Sequence, residues 1–184
     1  MENTASGPAR YSLGAIVLHW LIAGLIALNF AAAWVAEDMP KPQAAQIMAN
    51  HKAIGLTILL LTLVRIGWRL LHRPPPLSER LKAWEVALAR VVHGLSYAAM
   101  LAIPLSGWAM HMAESGGKPV SIFGLFAVPG LPVAQNKPAG DMLGDVHGSL
   151  TTLLMVLVAL HVAGALKHQF LDRDGSLRRI LPWG

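Results

Sequence analysis

The sequence predicts an all-α integral membrane protein, an antiparallel four-helix bundle with its N- and C-termini in the cytoplasm. Three observations predict it. Long stretches of the 184-residue chain are nearly free of charge: 54% of the residues are hydrophobic and only 14% charged, against about 25% charged in an ordinary soluble domain. No stretch looks like a strand. The basic residues are divided unevenly among the connections, as a membrane topology requires. The length suits a single domain, residues 1–184.

The first helix is expected at about 13–36, a run without one formal charge. At about 1.5 Å per residue it spans a bilayer with some tilt. A cleaved signal peptide would have an apolar region of about 7–15 residues. This run is longer and contains His19, which favours a retained helix. The second helix is expected at about 50–71, with Arg65 and Arg69 near its end and Pro74, Pro75 and Pro76 stopping it. The third, about 86–111, contains Pro104, which membrane helices tolerate as a kink. The fourth is expected at about 143–167. Between the third and fourth lies a connection rich in Gly and Pro, expected to cap the non-cytoplasmic end of the bundle.

Eleven basic residues fall on one side of this arrangement: Arg10, Arg65, Arg69, Arg73, Arg80, Lys82, Arg90, Lys167, Arg173, Arg178 and Arg179. Only Lys41, Lys52, Lys118 and Lys137 fall on the other. The rich side is cytoplasmic by the positive-inside rule. Topology therefore accounts for the net charge of +5, and nucleic-acid binding loses its support.

The absence of cysteine excludes disulfides, iron–sulfur clusters, thiolate zinc sites and covalently attached haem. Eight histidines remain as strong metal ligands. A histidine inside a membrane is costly without a partner. Four lie at paired depths: His51 with His147 near the outer side, and His19 with His161 near the inner side. The fourteen residues between His147 and His161 give a rise of roughly 21 Å and return to within about 40° of the starting direction. One helix thus presents a ligand at each of two depths along one seam. This is the pattern of two b-type haems stacked across the bilayer, each iron held by two imidazoles, which suits electron transfer better than oxygen binding. Small residues near these histidines, Gly24, Gly55, Gly148 and Gly164, leave room for a flat macrocycle, although small residues also serve plain helix packing. Zinc is disfavoured, since close clusters such as His at i and i+4 are absent. A proton relay would recruit intramembrane carboxylates, which the span interiors lack.

Several pieces of sequence resemble the bacterial cytochrome b561 family: "LHWL" at Leu18–Leu21, "NHKAIGL" at Asn50–Leu56, "VHG" at Val146–Gly148, and "ALHVAGALKHQF" at Ala159–Phe170, followed by "DGSLRRILP". The resemblance covers nearly the whole chain. It implies a dihaem four-helix protein of the bacterial inner membrane, related to the cytochrome b subunits of membrane hydrogenases and formate dehydrogenases. The family's axial ligands fall on His19, His51, His147 and His161. Some members resemble superoxide oxidases, which pass an electron from superoxide at the outer face to ubiquinone near the inner face.

The remaining polar residues have candidate roles beside these. His168 follows His161 by about two turns on nearly the same face, placing it at the inner interface. A histidine ring ordinarily exchanges its proton near neutral pH and can protonate a quinone carbonyl. Arg80 or Lys82 is a candidate second donor to the quinone. Arg65 and Arg69, spaced i and i+4, are candidates for the carboxylates of the inner haem, with snorkelling at a helix end as the plain alternative. Lys52 could serve the outer propionates or, with Lys118 and Lys137, attract an anion. His93 also lies in the inner half and competes with His19 as a ligand. The expected function is electron transfer between an outer-face donor, superoxide in preference to a redox protein, and the quinone pool. The alternatives are a cytochrome b anchor of a larger dehydrogenase or hydrogenase, for which a copurifying catalytic subunit would speak, and a histidine-lined transporter, against which the lack of intramembrane carboxylates speaks.

Overall fold

The computed structural model describes residues 10–72, 74–76 and 81–183. It contains four long helices: α1 (Leu13–Glu37), α2 (Lys41–Leu71), α3 (Ala83–Ser115) and α4 (Lys137–Lys167). All four are long and apolar enough to cross a membrane. Large apolar side chains such as Leu28, Leu60, Val91 and Val156 stand exposed along them, as lipid contact requires. The expected all-α membrane bundle is the observed one.

Local chemistry sets the helix ends. Pro138 occupies the first turn of α4, where a missing N–H costs nothing, and the Asn136 side chain accepts from Ala139 N at 2.9 Å. α3 stops at Gly116, whose φ of 69° suits glycine, and Gly117 N–H closes back on the Met112 carbonyl at 3.0 Å. At the start of α1, Gly14 admits the Trp68 indole. A Cβ there would overlap the ring, and the Trp68 N–H reaches Ser12 Oγ at 2.9 Å.

Three expectations about the elements need correction. α2 begins at Lys41 rather than near residue 50, and α4 at Lys137 rather than near 143. Both gain polar or mixed first turns that precede the apolar run and extend the helix beyond it. The connection after α3 is not free of strands: Val120–Ile122 (β1) pairs antiparallel with Phe126–Val128 (β2). Phe123 and Gly124 turn the hairpin with φ of 51° and 76°. Val120 and Ile122 bury themselves against Ala53 of α2 and Met112 of α3, so the hairpin does cap one end. At the other end the region around the start of α1 meets residues 180–181: the Trp20 N–H donates to the Ile180 carbonyl at 2.9 Å and Arg10 Nη2 to the Leu181 carbonyl at 2.8 Å. These are called the hairpin end and the terminal end.

Packing runs in sequence, α1 on α2, α2 on α3 and α3 on α4. A compact apolar cluster, Ile22, Ile54 and Ile58, joins α1 to α2. No comparable packing closes α4 against α1 or α2, and the histidines face one another across that opening.

Candidate haem sites

Two pairs of histidines meet across the opening. At the hairpin end, His51 of α2 and His147 of α4 have ring centroids 6.4 Å apart, with the planes inclined by 73°. Each lies ten residues past the first residue of its helix, about 15 Å along the axis, so the two extended helix starts bring them to one depth. At the terminal end, His19 of α1 and His161 of α4 have centroids 6.1 Å apart at 68°. Two imidazoles facing each other across a metal, with each coordinating nitrogen about 2 Å from it, have centroids roughly 6–6.5 Å apart. Both pairs have that spacing.

Neighbouring space and hydrogen bonding agree. A Cβ on Gly24, Gly148 or Gly164 would meet nothing within 4 Å, and one on Gly55 only Asn29 Nδ2 at 3.8 Å. His51 Nδ1 lies 3.1 Å from the Asn29 carbonyl and His147 Nδ1 lies 3.0 Å from the Ile103 carbonyl. A carbonyl only accepts, so both Nδ1 atoms carry the proton and both Nε2 lone pairs are free for a metal. Ser106 Oγ stands 3.1 Å from His147 Nδ1 and donates to the same Ile103 carbonyl at 2.9 Å. The donor set, the spacing and the open space fit a flat group with an iron at its centre at each end.

The His19 environment differs. Arg65 Nη2 donates to His19 Nδ1 at 3.1 Å, while Arg65 Nε donates to the Tyr97 hydroxyl at 3.0 Å. A guanidinium has no acceptor, so His19 Nδ1 holds a lone pair here. His93 sits with its ring 5.1 Å from that of His161. That is too close for a metal between them, and His93 Nδ1 is tied to the Ala89 carbonyl of its own helix at 2.6 Å.

A model of the prokaryotic cytochrome b561 family matches residues 10–183. The chain belongs to that family. Among curated relatives it is 33% identical over 183 residues to cytochrome b561 homolog 2 of Escherichia coli, covering 95% of this chain and 92% of the relative. It is 27% identical over 175 residues to cytochrome b561 homolog 1 of the same organism (94% and 97% covered). It is also 27% identical over 175 residues to a protein of Yersinia pestis described as probable superoxide oxidase CybB (94% and 96% covered). This b561 protein is thus a bacterial membrane protein of electron transfer that binds haem b, in contact with lipid along its four helices.

The other candidate residues fall as follows. Arg69 lines a small cavity of about 40 Å³ with Arg65, Trp68, Tyr11 and Tyr97 at the terminal end. Lys52 Nζ donates to His111 Nδ1 at 3.3 Å on the hairpin side. Lys137 is paired with Asp141 at 2.7 Å on the exposed surface of α4. Lys82 caps α3, its backbone N–H donating to Glu85 Oε2 at 2.9 Å. Arg80 lies outside the described residues. His168 begins a π-helical turn, His168–Asp172, and its Nδ1 stands 2.7 Å from Asp172 Oδ2.

Sequence reasoning missed Asn29, Ile103, Ser106 and Gly107. A Cβ on Gly107 would come within 2.9 Å of His147 Cε1, so this glycine makes the bed of the imidazole. Main-chain acceptors carry no residue-type signal, but the Ser–Gly pair just after Pro104 was a usable one.

Proposed function

We propose that the protein is a dihaem cytochrome of the bacterial inner membrane that oxidises superoxide at the hairpin end and reduces ubiquinone at the terminal end. The observation that carries this is the pair of histidine couples, 6.4 Å and 6.1 Å between centroids, at opposite ends of one membrane bundle. His51 with His147, and His19 with His161, would each hold one haem b. When bound, the two haems supply two one-electron carriers at two depths. The hairpin end faces outward and the terminal end, with its surplus of arginine and lysine, faces the cytoplasm.

Each polar residue then has a task. Lys52, drawn to His111 beside the outer couple, offers a cation to an approaching anion or to a propionate. Ligation through His19 Nε2 requires the proton on Nδ1, a tautomer that offers Arg65 no lone pair. A haem held through His19 Nε2 would therefore leave the guanidinium free to pair, with Arg69, with that haem's carboxylates. His168 supplies a proton to a quinone carbonyl at the inner interface, with Lys82 near the same end as a second donor. The name of the Yersinia relative, a probable superoxide oxidase, supports superoxide as the donor.

The test is to generate superoxide beside the purified, haem-loaded protein and follow haem reduction by absorbance. Rapid reduction is expected, abolished by superoxide dismutase and slowed as ionic strength shortens the Debye length to about 8 Å and below. Slow reduction indifferent to dismutase and salt would assign the donor to another molecule.

A further inference from the structure

Where α4 ends, the chain folds back in an unusual way. After Lys167 the helix widens into the π turn His168–Asp172, Arg173 adopts a left-handed φ of 51° and Gly175 one of 74°. The His168 carbonyl accepts the N–H groups of both Arg173 and Asp174. A continuing α-helix would place residue 174 about 120° round from residue 168 and roughly 9 Å further along. The fold-back instead brings two carboxylates to one imidazole: Asp172 Oδ2 lies 2.7 Å and Asp174 Oδ2 3.6 Å from His168 Nδ1.

The two carboxylates differ. Asp172 is 33% exposed and opens to water, and its Oδ2 also takes Lys167 Nζ at 2.6 Å. Asp174 is 0% exposed. One of its oxygens accepts from Ser176 N at 2.8 Å, and the other, Oδ2, has no hydrogen-bond partner among the described residues. Beyond its 2.7 Å contact with Asp172 Oδ2, His168 Nδ1 likewise has no hydrogen-bond partner among the described residues. Buried polar atoms in that state are rare and costly, and here two of them face each other. Lys167 also reaches Glu85 Oε1 of α3 at 2.7 Å, which pins the whole cluster to the bundle. Among the described residues, the ion-pair partners of the imidazole are these two aspartates.

We propose that Asp172 and Asp174 form, with His168, a proton inlet for quinone reduction. The proposal rests on the reading that His168 faces the quinone. Asp172 takes a proton from cytoplasmic water. The carboxyl O–H then breaks as an N–H forms at His168 Nδ1, and the Nε2–H breaks as an O–H forms on the quinone oxygen. Asp174 is the positioning residue: its buried carboxylate holds the ring and balances the charge that passes through it. Two such transfers accompany two electrons, one from each of two superoxide ions oxidised to dioxygen, and convert one quinone to its quinol. Between transfers the ring, 19% exposed, exchanges its proton with water.

The experiment uses the full haem-loaded protein and a short-chain ubiquinone, with stopped-flow reoxidation of the reduced haems in H₂O and D₂O. Asp172→Asn is expected to leave both haem spectra in place and to slow reoxidation by on the order of tenfold to a hundredfold. The solvent isotope effect should rise, and added formate should restore the rate, which loss of an ion pair alone would not allow. Asp174→Asn should lower kcat without changing the quinone KM, and formate should not rescue it. A wild-type rate and isotope effect in the fully loaded Asp172→Asn protein would overturn the inlet. His168→Ala separates the two ideas. If it is slow while both aspartate variants behave as wild type, the quinone site stands and the inlet falls. If it too reoxidises at the wild-type rate, the quinone site falls with the inlet.

Discussion

The two histidine couples have nearly the same ring separation, 6.4 Å at the hairpin end and 6.1 Å at the terminal end, yet different kinds of neighbour hold them. His51 and His147 are oriented by main-chain carbonyls, those of Asn29 and Ile103. These carry no net charge and survive most substitutions. His19 is oriented by the Arg65 side chain, and His161 has the His93 ring against it. One geometry is thus reached beside uncharged main-chain acceptors at one end and beside a charged side chain at the other. A carbonyl accepting from Nδ1–H makes the imidazole a stronger donor to iron. A guanidinium beside the other couple favours the less positive, reduced iron. With haems held by both couples, as proposed, the terminal-end haem would draw electrons from the hairpin-end haem.

The largest effect expected is on occupancy. His147→Ala should remove the hairpin-end haem and leave the other, and His161→Ala should do the reverse. Retention of both low-spin signals in either variant would break the pairing. His93→Ala should keep both haems, since its ring is too near that of His161 to share a metal with it. Loss of the inner signal would instead move the ligand from His19 to His93.

Gly107→Val should act on one couple only. Even a Cβ at this position would overlap His147 Cε1 at 2.9 Å, and overpacking of this kind costs about 1–3 kcal/mol. Haem should be lost selectively from the hairpin end, and equal loss at both ends would mean that Gly107 merely supports the fold. Arg65→Leu should lower the midpoint potential of the terminal-end haem by on the order of 60 mV, a tenfold change for a one-electron couple, while the other haem stays put. An unchanged inner potential would remove the charge from the argument. Ser106→Ala should shift only the hairpin-end potential, by on the order of 20 mV, because the Ile103 carbonyl still receives the Nδ1 proton.

The bundle and the depth pairing were legible because both follow from one-dimensional signals. Apolar runs longer than about 20 residues span a membrane, and the residue count between His147 and His161 converts directly to depth and direction. What stayed hidden depends on relations that spacing does not carry. The first turns of α2 and α4 are polar or mixed, so hydropathy places the starts at the bilayer edge although the helices continue past it. The hairpin strands, Val120–Ile122 and Phe126–Val128, are too short for a period of two to show. Arg65 could be placed on the right face and depth, but its choice of His19 and Tyr97 depends on tertiary packing. Asp174 stands six residues from His168, a spacing that separates them on a helix. Only the π turn and the left-handed Arg173 reunite them.

The central claim is that the two couples bind two haems. The most direct measurement is the haem content per chain of the purified protein, by the pyridine haemochrome spectrum against protein mass, together with a redox titration of the same sample. Two non-covalent haems b per chain, titrating as two distinct one-electron steps, is the expected result. A content of one would contradict the pairing at two depths, and a content of zero would contradict the redox function itself.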